Sequence, residues 1–198
     1  MSESEFGAKP AVLRCSRCGK YVDWEEAAVQ VVCSCRPRLD LPPVLVREAT
    51  DADRVTAREL FERDFGRTRI VAFGEVVDID QMPALVAVMR EQAAGALAYR
   101  LHGDALHIVA LATDPMWQRS GVGGHLVAEA ELLARRLGLK RLVVSTTNDN
   151  LPALYFYQRR GYRLIDLATN SIIAHTGQEV AGFAGIPVRD EVRLEKKL

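Results

Sequence analysis

The chain has 198 residues, 48% of them hydrophobic, and its 26 basic side chains balance its 26 acidic ones. This length suits one domain of ordinary size with a small appendage, and the composition can supply a sizeable core. The zero formal charge argues against general electrostatic binding to nucleic acid or to an anionic membrane.

The sequence also lacks the signals that direct a chain into a membrane or out of the cell. No apolar run approaches the length of a membrane span, and residues 1–10 have neither the charged nor the apolar region of a signal peptide. We therefore expect a cytoplasmic protein with no membrane partner and no direct nucleic-acid partner.

All four cysteines lie in the first 35 residues, as a Cys-x2-Cys pair, fourteen further residues and a Cys-x-Cys pair: Cys15, Cys18, Cys33 and Cys35. Two such pairs on separate turns can converge on one ion as four thiolates. The spacing predicts a structural zinc in a zinc-ribbon-like module over residues 1–40, although the second pair is one residue tighter than usual. Ordinary thiols and a redox or disulfide role are the alternatives, and a cytoplasmic location argues against disulfides.

A proline-containing segment at residues 41–43 separates this module from a second domain, which we predict over residues 44–198. Residues 44–50 form a predicted strand, and the helix that follows is capped by Thr50 or Asp51. Residues 64–80 have mixed charge without periodicity, so we expect an irregular segment there.

Three antiparallel strands are predicted next, at residues 83–90, 95–101 and 106–113, with a turn at residues 91–94 between the first two. The third is a short apolar run bounded by Asp114-Pro115, which is typical of a buried central strand. His107 lies on it among apolar neighbours. A lone histidine in this setting is more often packed than catalytic, so we expect His107 to pack.

A glycine-rich segment follows the central strand: Gln118, Arg119, Ser120, Gly121, Val122, Gly123 and Gly124. It leads into a helix with apolar residues at helical spacing, which we expect to end at Gly138. The glycines allow positive φ and leave their N–H groups unobstructed, and free N–H groups at a helix N-terminus bind anions. The segment predicts a phosphate-bearing ligand, and a purely structural glycine turn is the alternative. No Lys-Ser/Thr pair follows the glycines, which excludes a nucleoside-triphosphate loop.

A second informative segment spans residues 150–162. It follows a predicted strand at residues 141–145, and the strand–helix–strand order implies a parallel strand pair with a right-handed crossover. Pro152 is tolerated in a first helical turn, and Gly161 is placed to end a short helix. Without other information, its aromatic residues would indicate only the packed side of a small helix.

Together the two segments resemble the GNAT acetyltransferase superfamily. The first matches the Gln-x-x-Gly-x-Gly loop of that family. The second matches the pattern Asn-x-x-Ala-x-x-Phe-Tyr-x-x-x-Gly-Phe/Tyr through Asn150, Ala153, Phe156, Tyr157, Gly161 and Tyr162. The resemblance covers about residues 44–198 and implies an α/β (α+β) fold with a mixed central sheet and flanking helices. The cysteine module lies outside it.

The resemblance implies an enzyme that moves an acetyl group from acetyl-CoA to a primary amine of a small molecule or a protein. It implies that backbone groups of Leu111, Ala112 and Thr113 hold the acyl group and pantetheine arm. The segment from Gln118 to Gly124 would hold the pyrophosphate, and Asn150 would contact the CoA arm. Tyr157 matches the tyrosine that protonates the departing thiolate.

The sequence leaves the general base, the acceptor site, the function and the assembly open. The central strand offers no carboxylate as a general base, which leaves direct attack or a water relay from Glu75, Asp78 or Asp80. A long excursion at residues 167–187 carries His175 and Glu179. These two residues are candidates for contacts with the acceptor, and the alternative is that they are ordinary solvated residues. The alternative function is an acyl-CoA-binding sensor or partner-docking protein with low turnover and a zinc adaptor module. A homodimer is one assembly compatible with these features.

Overall fold

A computed structural model describes Leu13–Arg14, Tyr21–Val22 and residues 42–198. The chain divides into two compact units, Met1–Pro42 and Pro43–Leu198. In the first unit, β1 (Leu13–Arg14) pairs antiparallel with β2 (Tyr21–Val22). The predicted zinc ligands lie outside the described residues, so the metal site stays a prediction: Cys15, Cys18, Cys33 and Cys35.

The second unit is built from strands and helices around one sheet. In chain order they are β3 (Leu45–Glu48), α1 (Asp51–Phe65), β4 (Arg69–Ala72), β5 (Glu75–Asp78), β6 (Ala84–Met89), β7 (Gln92–His102), β8 (Ala105–Thr113), α2 (Val122–Arg136), β9 (Arg141–Thr147), α3 (Leu151–Gln158), β10 (Arg163–Ala168), α4 (Ser171–Thr176), β11 (Val180–Ala181), β12 (Pro187–Val188) and β13 (Glu191–Lys197). Short 3-10 turns precede β6, α2 and β12.

Seven of these strands form the main sheet, in the order β10-β13-β9-β8-β7-β6-β3. Every neighbouring pair is antiparallel except β8 and β9, which are parallel and are joined through α2. The predicted three-stranded meander, the parallel pair and the mixed sheet with flanking helices are confirmed. The sheet places the end of β8, the start of α2 and the end of β9 at one edge of the fold.

Helices cover both faces of the sheet, which explains the nearly continuous apolar sequence of β8. Leu106 and Ile108 belong to the core on the side of α2 and α3. Val109, Ala110 and Ala112 belong to a second core on the side of α1 and the β4–β5 hairpin. Within the part of the chain that the structure describes, no helix has the length and apolar character needed to cross a membrane.

Local residue chemistry explains where the helices begin. Thr50 is the N-cap residue of α1, and its N–H and its hydroxyl both donate to Asp53 Oδ2, at 2.7 and 2.6 Å, in a capping box. The Asn150 side chain accepts from the Ala153 N–H at 3.1 Å and caps α3. Gly138 follows the C-cap residue Leu137 of α2 and has a φ of 70°, as a glycine beyond a helix C-terminus commonly does.

Two sequence-based expectations were wrong. Residues 64–80 are not irregular, because they contain the antiparallel β4–β5 hairpin, whose turn at Phe73-Gly74 has φ values of 58° and 77°. The β6–β7 connection is Arg90-Glu91, with φ values of 47° and 65°, rather than residues 91–94. Two-residue turns with positive φ match the right-handed twist of paired strands. In these two turns the match outweighs the low intrinsic preference of Phe73, Arg90 and Glu91 for positive φ.

Candidate active site

Strands β8 and β9 pair over only part of their length. Their parallel register runs from Ala105 opposite Arg141 to Ile108 opposite Val144, and ends there. Residues 110–113 of β8 remain paired with β7 on their other side, while residues 145–147 of β9 remain paired with β13. Within residues 42–198, the facing edges therefore have backbone N–H and C=O groups without a strand partner, which an extended ligand could use.

A β-bulge marks the point where the strands separate. Ile108 pairs with Tyr99 and Ala110 with Ala98, so Val109 is an extra residue on β8. A bulge bends its strand and increases the local twist, which turns the end of β8 away from β9. Leu111, Ala112 and Thr113, for which the family resemblance implies ligand contacts, all lie in the separated part of β8.

The glycine-rich segment places the start of α2 beside this opening. Gly121 is the N-cap residue, with a φ of 98°. The first backbone hydrogen bond across the cap runs from the His125 N–H to the Gly121 carbonyl, at 3.0 Å. The N–H groups of Val122, Gly123 and Gly124 precede it and have no intrahelical acceptor, so with the helix dipole they can bind an anion.

The three residues before this cap are held in a tight turn. Gln118 ends the short 3-10 turn Pro115–Trp117, and the Ser120 hydroxyl donates to the Trp117 carbonyl. Arg119 has a φ of 64°, an uncommon conformation for a residue with a side chain. The turn directs the backbone into the helix, and Gly121 then completes it with a second positive φ.

Glycines lie where α2 meets the sheet and α3. A Cβ atom placed on Gly123 would stand 3.5 Å from side-chain atoms of Leu111 and of Phe156, an ordinary contact distance. A Cβ atom placed on Gly95 in β7 would stand 2.8 Å from Val122 Cγ1, which no real side chain tolerates. Our interpretation of the sequence missed Gly95, although an isolated glycine inside a strand is a known signal of close approach.

Tyr157 lies in α3 and is 5% exposed. It belongs to the same core as Ile108 and Val122, and its ring meets those of Phe156 and Tyr162 edge-on, at centroid distances of 5.0 and 5.3 Å. Burial raises the pKa of the Tyr157 hydroxyl, because the charged phenolate would be poorly solvated there. The hydroxyl is therefore protonated at neutral pH and can donate a hydrogen bond or a proton.

His107 lies on the opposite face of β8, towards the β4–β5 hairpin. Its ring stacks on Phe73 at a centroid distance of 4.1 Å and an interplanar angle of 18°. Its Nδ1 is buried and has no hydrogen-bond partner within residues 42–198. Burial, together with the nearby charge of Arg100, lowers the pKa of His107 to about 4. The imidazole is therefore neutral at physiological pH, and the stacking agrees with the expected packing role.

Each carboxylate that was considered for a proton relay already has a partner. Glu75 forms an ion pair with Arg100, and Asp80 with Arg58. Asp78 accepts a hydrogen bond from the Asp80 N–H at 3.2 Å. These contacts attach the β4–β5 hairpin and the segment after it to their neighbours, so all three carboxylates have a structural role.

Our sequence interpretation missed the buried carboxylate of Glu191, which is 0% exposed at the start of β13 opposite Thr147. It accepts from the Gly74 N–H at 2.8 Å and from Arg193 Nε at 2.7 Å. Burial by itself would raise the pKa of Glu191, but these hydrogen bonds outweigh it and the pKa is lower than usual. The charged carboxylate thus holds the tip of the β4–β5 hairpin beside the end of β9.

The residues after β9 attach the long excursion to the sheet. Asn148 Oδ1 accepts from the N–H groups of Arg189 and Asp190, both at 2.9 Å. The Asp149 carboxylate accepts from the Phe183 N–H at 2.9 Å. A Cβ atom on Gly182 would stand 2.1 Å from an Asp149 oxygen, so glycine is needed there. The segment 182–190 is thereby held beside the open end of β9.

The two excursion residues considered as acceptor contacts are both exposed. His175 lies in α4, and its Nδ1 is 2.8 Å from the carbonyl oxygen of Ser171, one turn earlier in the same helix. Glu179 lies between α4 and β11. Within the described part of the chain, no group of three His, Cys, Asp or Glu side chains could hold a metal ion.

Comparison with known proteins agrees with this geometry. The model of the acetyltransferase (GNAT) family matches residues 54–162, which is more than half of the chain. The chain belongs to this family. It is an enzyme of the GNAT N-acetyltransferase type. The uncharacterized protein YxbD of Bacillus subtilis (strain 168) is 32% identical over 143 residues, which cover 70% of this chain and 89% of YxbD.

Solved structures share the fold of this GNAT domain. A Bacillus subtilis acetyltransferase in complex with CoA has a TM-score of 0.61 and 21% identity, over 80% of this chain and 99% of that one. A GNAT family acetyltransferase from Elizabethkingia anophelis with acetyl-CoA bound has a TM-score of 0.60 and 21% identity, over 78% and 98% of the two chains. At these identities the likeness shows the fold.

The neutral state of His107 in this GNAT domain leads to a prediction about stability. A folded pKa of about 4 lies below the ordinary value near 6.5, so the unfolded chain binds the proton more readily between these values. Neutral His107 therefore contributes fully to the free energy of unfolding above about pH 6.5, and this contribution is lost as the pH falls towards 4. The free energy of unfolding should fall by no more than about 1.4 kcal/mol per pH unit over this range.

We expect His107→Phe, which keeps a ring against Phe73, to flatten this part of the stability–pH curve. The measurement is urea unfolding at several pH values between 4 and 7 for wild type and variant. His125→Gln is the matched control, because His125 is exposed on α2. An unchanged slope in His107→Phe would contradict the buried neutral histidine.

Proposed function

We propose that this protein transfers an acetyl group from acetyl-CoA to a primary amine of a small molecule or a protein. The observation that carries the proposal is the opening between β8 and β9. It is bordered by the glycine-capped start of α2, and Tyr157 lies in the core on the α3 side of β8. An anion site, free strand edges and a buried proton donor are the parts that acetyl transfer from a thioester needs.

The start of α2 supports the binding of the CoA pyrophosphate. The N–H groups of Val122, Gly123 and Gly124 can donate to phosphate oxygens, and the helix dipole favours the negative charge. Gln118, Arg119 and Ser120 complete the loop, and its tight turn fixes the direction of approach. Because neither Gly123 nor Gly124 has a side chain, the phosphate can approach the backbone closely.

The separated part of β8 supports the binding of the acyl end of the ligand. Along Leu111, Ala112 and Thr113 the backbone groups alternate between β7 and the edge that faces β9. Those on the β9 edge can pair with the amide groups of the pantetheine arm, as an added strand would. Asn150 lies at the start of α3 and contacts the same arm. Its carboxamide oxygen caps α3, which leaves its NH2 group to donate.

Tyr157 is assigned the acid in the transfer. As the amine nitrogen bonds to the acyl carbon, the carbon–sulfur bond breaks and the Tyr157 hydroxyl gives its proton to the sulfur. The tyrosine then regains a proton from solvent, which also takes the proton that the nitrogen loses. Burial keeps the hydroxyl protonated before the reaction.

The hairpin tip at Phe73-Gly74 and the segment 182–190 border the open end of β9, and we assign the amine acceptor to this side.

The first test concerns the pyrophosphate site. Gly123→Asp should abolish the rise in melting temperature caused by acetyl-CoA, because it adds a side chain and a negative charge at the first turn of α2. A ligand at about 100 times its Kd stabilises a fold by about 2.7 kcal/mol, which a thermal melt detects readily. Ala128→Asp is the matched control, because it adds the same charge to the same helix at an exposed position beyond the first turn. An equal shift in wild type and Gly123→Asp would show that the loop is misassigned.

The second test separates an acid from a packed aromatic ring. Tyr157→Phe removes one oxygen and keeps the ring, so α3 should stay packed and acetyl-CoA affinity should stay roughly constant. Turnover should fall by about 10²- to 10⁴-fold, the usual range for general acid catalysis. The measurement is kcat and KM for acetyl-CoA with an amine from a panel that the wild type acetylates. Tyr155→Phe on the same helix is the control, since Tyr155 is 55% exposed. Equal kcat in wild type and Tyr157→Phe would retract the assignment.

We also propose that Cys15, Cys18, Cys33 and Cys35 bind one structural zinc ion as thiolates. The support is the spacing of the four cysteines and the preference of zinc for tetrahedral sulfur ligands. Protein purified under reducing conditions should contain about one zinc per chain. Cys18→Ser should lose the metal and leave the thermal shift with acetyl-CoA nearly unchanged. Metal analysis that finds no bound ion in the wild type would remove this proposal.

A further inference from the structure

Arg160 lies two residues after α3, and its guanidinium rests on the first turn of α2. It stands over the Phe156 ring, 3.7 Å from the centroid, and Nη1 donates to the Phe156 carbonyl at 3.1 Å. Its Nη2 occupies the space that a side chain at Gly124 would need, 2.6 Å from the position of a Cβ atom. The glycine thus makes room for the guanidinium beside the helix N-terminus.

The charges in this arrangement are of the same sign. A helix N-terminus carries partial positive charge, so a cation there is unfavourable unless an anion is present. Burial lowers the pKa of Arg160, although a guanidinium stays charged at neutral pH. Within residues 42–198, no carboxylate forms an ion pair with Arg160. Glu131 is the carboxylate whose charge acts on it, and both Glu131 oxygens accept from Lys196 Nζ at 2.8 Å.

We propose that Arg160 binds a phosphate group of CoA, and that the phosphate bridges the guanidinium and the first N–H groups of α2. The inference rests on the proposed function, because it takes CoA as the ligand of the glycine-rich segment. A guanidinium can give a phosphate two parallel hydrogen bonds, and charge-assisted bonds of this kind are about twice as strong as neutral ones. The bound phosphate would relieve the repulsion between Arg160 and the helix.

The neighbouring arginine offers a matched comparison. Arg159 is exposed, its guanidinium lies 5.6 Å from the Tyr155 ring centroid, and Nη1 donates to the Tyr155 hydroxyl at 2.9 Å. Arg159 and Arg160 have the same charge and adjacent positions, but the guanidinium of Arg160 is the one that lies against Gly124. A general electrostatic effect would involve both, whereas a specific contact involves Arg160.

Titration calorimetry at fixed salt tests the proposal with two ligands, CoA and dephospho-CoA, which lacks the 3′-phosphate. Arg160→Gln should raise the Kd for CoA about tenfold or more, and Arg159→Gln about twofold or less. A loss with both ligands assigns the contact to the pyrophosphate, and a loss with CoA alone assigns it to the 3′-phosphate. Wild-type Kd values for both ligands in Arg160→Gln would overturn the inference. A wild type that binds neither ligand would also overturn the proposed function.

A second measurement distinguishes a binding role from a structural one. If Arg160 only packs on Phe156, Arg160→Gln should lower the melting temperature of the ligand-free protein and leave both Kd values unchanged. The proposal predicts instead that CoA raises the melting temperature of Arg160→Gln less than that of wild type, because the phosphate contact is lost.

Discussion

The β-bulge at Val109 is the constraint on which the site depends. Before the bulge, β8 and β9 form a parallel pair, and apolar side chains of β8 such as Leu106 are buried in the core on the side of α2. After it, the same two strands remain in one sheet through their outer neighbours, but their facing edges separate. A ligand can therefore reach backbone hydrogen-bonding groups in the middle of a sheet without unfolding any strand. The energetic cost of the unpaired edges is offset by the burial of both faces of β8.

Small residues determine how closely the helices approach this opening. Gly95 allows Val122 to touch the sheet, and Gly123 lies beside Leu111 and Phe156. Gly124 then accommodates the Arg160 guanidinium. The close approach at Gly95 thus places the start of α2 beside the free edge of β8. On the other face, Glu191 and Asn148 hold the hairpin tip and the excursion at the end of β9.

The sequence predicted the parts of the site that depend on local patterns, and it missed those that depend on register between distant strands. The glycine-rich segment and the segment from Asn150 to Tyr162 identified the family and two helices, and the apolar run before Asp114-Pro115 identified the central strand. The opening between β8 and β9 could not be predicted, because the bulge at Val109 is visible only when β7 is aligned with β8. Glu191 was missed because a glutamate in an alternating strand indicates a solvated face, and its partner Gly74 lies 117 positions away. The roles of individual site residues remain proposals.

Amide hydrogen exchange with and without acetyl-CoA reports on the backbone of the strand opening itself. We expect the ligand to slow exchange in residues 109–113 and 121–124, while the β4–β5 hairpin at residues 69–78 changes little. The protection should be weaker with free acetate or inorganic pyrophosphate, since each would fill only one end of the site. Acetyl-CoA that binds and leaves exchange in residues 109–113 unchanged would contradict the account, because the ligand would then lie outside the strand opening.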